Sequence, residues 1–206
     1  MKQAANVVFW LVCASCAKDA TVTTTTPPVS ELAHWTPGET RGGGTPAQWL
    51  ASRGPAGEAA ARVVATHSDA SFNLLLSNEA FGPDVELSTL MHADAGVDDR
   101  GGGLVWRARD ADNYYVTRWN PLENNLRAYT VQNGVRQQLA SVDVALDATR
   151  WHELRVRMVC EKISVLVDGR EALTCANWMY TNAGKIGLWT KADASSTFVL
   201  PTVRTL

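Results

Sequence analysis

Residues 101–129, GGGLVWRARDADNYYVTRWNPLENNLRAY, decide the architecture of this chain. Residues 104–109 and 113–119 are rich in aromatic and β-branched side chains. Asp110-Ala111-Asp112 between them is a short polar turn, so the segment is expected to be a β-hairpin. Pro121 ends the second strand, because proline has no N–H to give to a ladder, and a third strand starts near Asn125. Successive side chains of a strand point to opposite faces. Trp106, Arg107, Tyr114, Tyr115, Arg118 and Trp119 are therefore expected to divide between a core face and an exposed one. The exposed share is the first place to look for function. Which tryptophan it contains depends on the register of the turn, since a shift of one residue exchanges the faces.

From residue 71 onward the chain runs as short strands with turn residues every ten positions or so, the spacing of an all-β sandwich. Strands are expected near 71–77, 85–93, 103–109, 113–119, 125–131, 135–141, 151–159, 163–168, 170–175, 184–189 and 196–204. Asn133-Gly134 and Asp168-Gly169 sit between apolar alternations, and both dipeptides favour the positive φ angles of tight hairpin turns. Ile163, Val165 and Val167 alternate with Ser164, Leu166 and Asp168, which places that strand inside a sheet rather than at an edge. Upstream the signals are weaker. Trp35-Thr36-Pro37-Gly38 reads as a turn, Trp49-Leu50-Ala51 and residues 62–66 as short strands, and the glycines and Pro55 of residues 54–61 as a loop.

The chain has 206 residues, 46% of them apolar, enough for one sizeable core. A net charge of −2 gives no basic excess to hold a phosphate backbone, so no nucleic-acid partner is expected. Residues 1–16, MKQAANVVFWLVCASC, place one lysine before an apolar run of residues 4–12 and end on small residues. This fits an export signal too short to span a bilayer. Residues 17–34, with four consecutive threonines and Pro27-Pro28, read as a disordered tether, and residues 35–206 as the folded domain.

The chemistry-bearing residues are sparse. His34, His67, His92 and His152 are scattered without the spacing of zinc ligands. Asp94, Asp98 and Asp99 are of the type that binds calcium through oxygen, although a solvated loop is the commoner use of such a group, and no cofactor is expected. Gly101-Gly102-Gly103 precedes a strand rather than a helix, which favours close backbone approach over phosphate cradling. A retaining glucanase needs two carboxylates flanking one bond about 5 Å apart, and no strand here alternates them. Cys160 and Cys175 fall at the same end of the strand pair hinged at Asp168-Gly169, so a disulfide between them is feasible after export, two buried thiols being the alternative.

Two resemblances add to this reading. Residues 1–16 resemble a bacterial lipoprotein signal, with Ala14-Ser15-Cys16 as the processing site and Cys16 as the lipidated residue. The pattern's usual leucine three places before the cysteine is replaced by Cys13, which leaves lipidation and simple secretion both open. Residues 101–139, together with Trp151-His152-Glu153-Leu154-Arg155-Val156, Val167-Asp168-Gly169 and residues 184–193, resemble bacterial concanavalin A-like domains of the laminin G-like and DUF1080 (3-keto-disaccharide hydrolase-like) groups. That resemblance covers roughly residues 35–206. It implies a jelly-roll sandwich of two curved antiparallel sheets whose concave face often serves as a carbohydrate site. The acidic pair that commonly follows the last aromatic is replaced by Val199-Leu200 after Phe198, which weakens a calcium site there.

Sugar recognition needs a flat apolar surface beside convergent hydrogen-bonding groups. Trp106, Arg107, Tyr115, Arg118, Trp119, Asn120, Glu123 and Asn125 supply both, and Lys191 and Asp193 lie in a loop that either lines the same cleft or forms a pair. The alternative is that the arginines pair with Glu123 and stack on the tryptophans to fix the hairpin. Expected function is therefore a non-catalytic, extracytoplasmic carbohydrate-binding sandwich, periplasmic, surface-attached or secreted, touching a membrane only through a lipid at Cys16. An enzyme of the 3-keto-disaccharide hydrolase type and a structural or adhesion module are the other two readings, and the missing carboxylate pair favours the first.

Overall fold

The computed structural model describes residues 31–41, 47–64 and 72–206. Residues 1–30, with the expected signal, Cys16 and most of the tether, lie outside the described residues. The strands in chain order are β1 (Trp35–Glu39), β2 (Gln48–Arg53), β3 (Ala59–Val64), β4 (Phe72–Phe81), β5 (Val85–Ala95), β6 (Gly102–Asp110), β7 (Asn113–Asn120), β8 (Asn125–Gln132), β9 (Val135–Asp143), β10 (His152–Val159), β11 (Lys162–Val167), β12 (Arg170–Ala176), β13 (Gly184–Lys191), β14 (Ser195–Val199) and β15 (Thr202–Thr205). They form two antiparallel sheets. One has the order β1-β4-β13-β6-β7-β8-β9, and the other β12-β11-β10-β5-β14-β3-β2 with β15 also paired to β5.

The hairpin of β6 and β7 is held by local bonds: Asp110 Oδ1 accepts the Asp112 N–H at 2.7 Å and the Asn113 side-chain amide at 2.9 Å. A bulge at Arg107, with φ of 48°, shifts the register between Trp106 and Asp110. Trp106 then lies opposite Tyr115, and Trp119, four residues further along, falls on that same face. Both tryptophans and Tyr115 therefore enter the core between the sheets, which corrects the expected division of the tryptophans between two faces. The Trp106 and Tyr115 rings stack there with centroids 5.6 Å apart. Around them pack Leu87, Leu104, Leu154, Val156, Met158 and Phe198, each contributing roughly 1.5–3 kcal/mol by leaving water.

Asn133-Gly134 has φ of 50° and 74° and Asp168-Gly169 φ of 49° and 76°, so both are the tight turns expected. β11 is paired on both sides, with β10 and β12. The turn expected at residues 35–38 is instead the strand β1, pairing only with β4 through Pro37 opposite Leu75. Proline is tolerated there because β1 is an edge and the missing N–H belongs to no ladder. The strand expected at 196–204 is two strands, β14 and β15, both alongside β5 and separated by Leu200-Pro201. Leu32–His34, within the stretch read as tether, is a 3-10 turn whose Leu32 packs on the core.

The expected Cys160–Cys175 disulfide does not form, since Cys175 is a free thiol. Cys160 follows the end of β10, whereas Cys175 lies on β12, with β11 between them. Two strand spacings are roughly 10 Å, beyond the reach of a disulfide. Burial pushes the Cys175 thiol pKa up.

The seven-stranded sheet curls over its outer face. Laid flat, β1 and β9 would be about 29 Å apart, six strand spacings. Yet a Cβ on Gly134, in the β8–β9 hairpin, would lie 2.5 Å from Cγ of Arg41, which follows β1. Thr40 also donates to the Ala111 carbonyl at 2.8 Å, and the Arg41 N–H reaches Asp112 at 2.6 Å, four strands away. Contacts across that span require the sheet to bend into a groove facing away from its partner sheet.

Candidate functional site

Alternation decides what lines this groove. Cross-strand pairing aligns Val116 with Tyr129, Arg118 with Arg127 and Asn120 with Asn125 on the outward face of β7 and β8. On β13 and β4 the same face carries Trp189 opposite Leu74 and Lys191 opposite Phe72. The groove thus has an aromatic end and a polar end.

At the aromatic end, Leu74, Val105, Tyr114, Val116, Tyr129, Val131 and Trp189 form a second, smaller core. Its polar atoms are paired in series. Trp189 Nε1 donates to the Tyr114 hydroxyl at 3.2 Å, Tyr114 to Thr40 at 2.8 Å, and Thr40 to the Ala111 carbonyl. Burial pushes the Tyr114 hydroxyl well above its ordinary pKa.

At the polar end two carboxylates organise three cations and two amides. Asp99 accepts from Arg118 at 3.3 Å, Asn120 at 2.9 Å and Lys191 at 3.1 Å. Glu123 accepts from Arg118 at 3.0 Å and Asn125 at 2.9 Å, and pairs with Arg127 at 3.0 Å. Arg118 and Asp99 are buried, whereas the side chains of Glu123, Arg127 and Lys191 are 43%, 30% and 24% exposed. Arg118 Nε and Asn125 Oδ1 are buried with no hydrogen-bond partner among the described residues. Desolvation alone would raise the Glu123 pKa, but the hydrogen bonds from Asn125 and Arg118 and the charges of Arg118 and Arg127 outweigh it and hold it below the ordinary carboxylate value. Glu123 is therefore an anionic acceptor, the opposite of what a general acid requires.

The structure brings Arg118, Asn120, Glu123, Asn125 and Lys191 together, as the sequence pattern anticipates. It separates the others. Trp106 and Trp119 are 0% and 1% exposed between the sheets, and Tyr115 is buried with them, its hydroxyl bonded to Asn177 at 2.7 Å. None of these rings presents a face to a ligand. Arg107 is spent on the opposite side of its strand, donating to the carbonyls of Pro83 (2.7 Å), Tyr180 (2.7 Å) and Cys160 (2.8 Å) and to Asp84 (3.2 Å). Its role is to tie three loops together. Asp193 accepts the backbone N–H groups of Val97, Asp98 and Asp99, so it shapes the loop that presents Asp99. The aspartates considered for calcium diverge. Asp94 binds Arg62 and His92 while Asp99 faces the groove, and among the described residues no three acidic, histidine or cysteine side chains gather as a metal site.

Two participants escaped the sequence reading. Arg127 was legible in principle, because period two along β8 puts Asn125, Arg127 and Tyr129 on one face. Asp99, expected in a solvated loop, is buried because Lys191 and Arg118 close over it, and no local signal announces partners 92 and 19 residues away.

Comparison with solved structures places the architecture. The carbohydrate-binding module CBM66 from Bacillus subtilis superposes with a TM-score of 0.66 at 17% identity, over 84% of this chain and 96% of that one. The fold is a concanavalin A-like jelly roll. The exoplasmic/lumenal domain of VIP36, in a Ca2+/Man3GlcNAc-bound form, matches with a TM-score of 0.58 at 12% identity, over 87% of this chain and 86% of that one. The Bacillus licheniformis β-glucanase matches with a TM-score of 0.57 at 16% identity, over 84% and 92%. No family model matches the chain, and no curated protein matches it.

Proposed function

We propose that this protein is a non-catalytic carbohydrate-binding module whose ligand lies in the outward groove of the seven-stranded sheet, at its polar end. The observation that carries the reading is the partly exposed set Glu123, Arg127 and Lys191 standing over a buried, rigidly bonded layer of Arg118, Asp99, Asn120 and Asn125. Alternating donors and acceptors held at fixed positions match the vicinal hydroxyls of a sugar, and a bonded second layer keeps them from reorganising on binding. Carbohydrate-binding and lectin domains among the solved structures of this fold support the same reading, as does the laminin G-like and DUF1080 resemblance of residues 101–139. The depressed pKa of Glu123 argues against its serving as the general acid of a glycosidase.

In a glycan-panel binding experiment the protein is expected to retain one class of oligosaccharide without releasing reducing or keto sugars. Glu123→Gln and Arg127→Ala, both at exposed side chains, should each weaken that binding about tenfold or more, a charge-assisted hydrogen bond being worth roughly 1.5–3 kcal/mol, while the melting temperature stays near the parent's. Unchanged affinity in both variants would move the site elsewhere, and sugar release would make the protein an enzyme.

Export to an extracytoplasmic site and lipidation at Cys16 complete the proposal, supported by the apolar run of residues 4–12 and the small residues before Cys16. Intact-mass measurement of membrane-fraction protein is expected to show loss of residues 1–15 and an added lipid mass. Protein that keeps Met1 contradicts export.

A further inference from the structure

Where the two edges of the seven-stranded sheet meet, a cleft of about 210 Å³ is lined by Thr40, Arg41, Phe72, Gly134, Val135 and Arg136. Two guanidinium groups share it and no carboxylate lines it. Asp112 accepts the Arg41 backbone N–H at 2.6 Å, and among the described residues neither arginine forms an ion pair. Arg136 lies over three rings, 4.4 Å from the centroid of Tyr129, 4.9 Å from Phe72 and 5.8 Å from Trp189. Stacking satisfies the faces of a guanidinium but leaves its in-plane N–H fork free, and Nη1 of Arg136 is buried with no hydrogen-bond partner among the described residues. Burial lowers the Arg136 pKa, Tyr129 and Asp99 offset this in part, and Arg118 further along the groove lowers it again. Two cations facing one cleft, one of them desolvated and unpaired, form a site lacking its anion.

We propose that this cleft is an anion subsite of the glycan groove, taking the carboxylate of an acidic sugar of the uronic acid class while the sugar chain runs on toward Glu123 and Lys191. The planar fork of Arg136 matches a carboxylate bidentately, the second cation of Arg41 closes on the same group, and Phe72 offers an apolar edge to the ring. Gly134 keeps the floor open: its φ of 74° demands glycine, and any side chain there would strike Arg41. The inference rests on the glycan reading above and names the ligand class.

The test is isothermal titration of the full chain with trigalacturonate, with its methyl ester, with sodium sulfate, and with the neutral oligosaccharide best retained on the panel. The acid is expected to bind at least about tenfold more tightly than the ester, roughly 1.4 kcal/mol. Arg136→Gln and Arg41→Gln should each remove that preference. Arg41 is exposed, so its variant folds even if the stacked Arg136 proves necessary for stability. Equal affinity for acid and ester overturns the inference, as does a preference that survives Arg41→Gln. Sulfate binding as tightly as the trimer assigns the cleft to inorganic anions and also overturns it. A neutral glycan that binds through Glu123 and Arg127 while the acid gains nothing sinks the subsite alone. If no glycan binds at all, the groove reading fails with it.

Discussion

Arg107→Met is expected to lower the stability of the domain by about 3–5 kcal/mol, the range seen when one partner of a buried charge-paired group is removed. Arg107 is 3% exposed and its guanidinium donates four hydrogen bonds, three of them to the backbone carbonyls of Pro83, Tyr180 and Cys160. Methionine fills the volume and leaves the Pro83, Tyr180 and Cys160 carbonyls unpaired. It also keeps the left-handed φ of 48° without the bonds that hold it there. Arg107→Lys should rescue little, since one ammonium cannot span three carbonyls that a planar fork reaches. Denaturant unfolding of the parent and both variants measures this. A methionine variant within about 0.5 kcal/mol of the parent would mean the loops are held by something else.

Gly103→Ala is expected to do comparable or greater damage for a different reason. A Cβ at Gly103 would fall on the carbonyl oxygen of Thr117 in the paired strand and within 2.8 Å of the Arg118 Cα. No side chain can rotate away to relieve a clash with backbone. The β6–β7 ladder must separate at the position that seats Arg118, at a cost on the order of 3 kcal/mol or more. Gly169→Ala provides the control. Its φ of 76° is equally special for hairpins, but a Cβ there meets nothing within 4 Å, so only backbone strain of about 1–2 kcal/mol applies. Melting curves that rank Gly169→Ala below Gly103→Ala in stability would reverse the argument.

The two hairpin turns and the general succession of strands could be read from the sequence because Asn-Gly and Asp-Gly act within two residues. The edge strand β1 was missed for the same reason: Trp-Thr-Pro-Gly is locally a turn, and only the free edge of the seven-stranded sheet makes its proline acceptable. The division of the two tryptophans between faces, expected for a three-residue turn, failed because Asp110 pairs with Asn113 across a two-residue turn, which keeps Trp106 and Trp119 on one face. The polar cluster of Arg118, Asn120, Glu123 and Asn125 was recognisable because β7, its turn and β8 bring it together locally. Its partners Asp99 and Lys191, and the cleft between Arg41 and Arg136, arise only from sheet curvature.

That curvature is held unevenly. Along β6, β7 and β8 the groove is backed by continuous ladders, whereas its aromatic end is drawn shut by a few bonds from Thr40 and Arg41 that span more than 70 residues. Parting these leaves both sheets intact, so this end can open by local fluctuation at a free energy far below that of global unfolding. The aromatic end is thus closed by side-chain and loop bonds rather than by a strand ladder. A chain-like ligand that extends from the polar end would meet there the bonds of Thr40 and Arg41 to the β6–β7 turn rather than a paired strand.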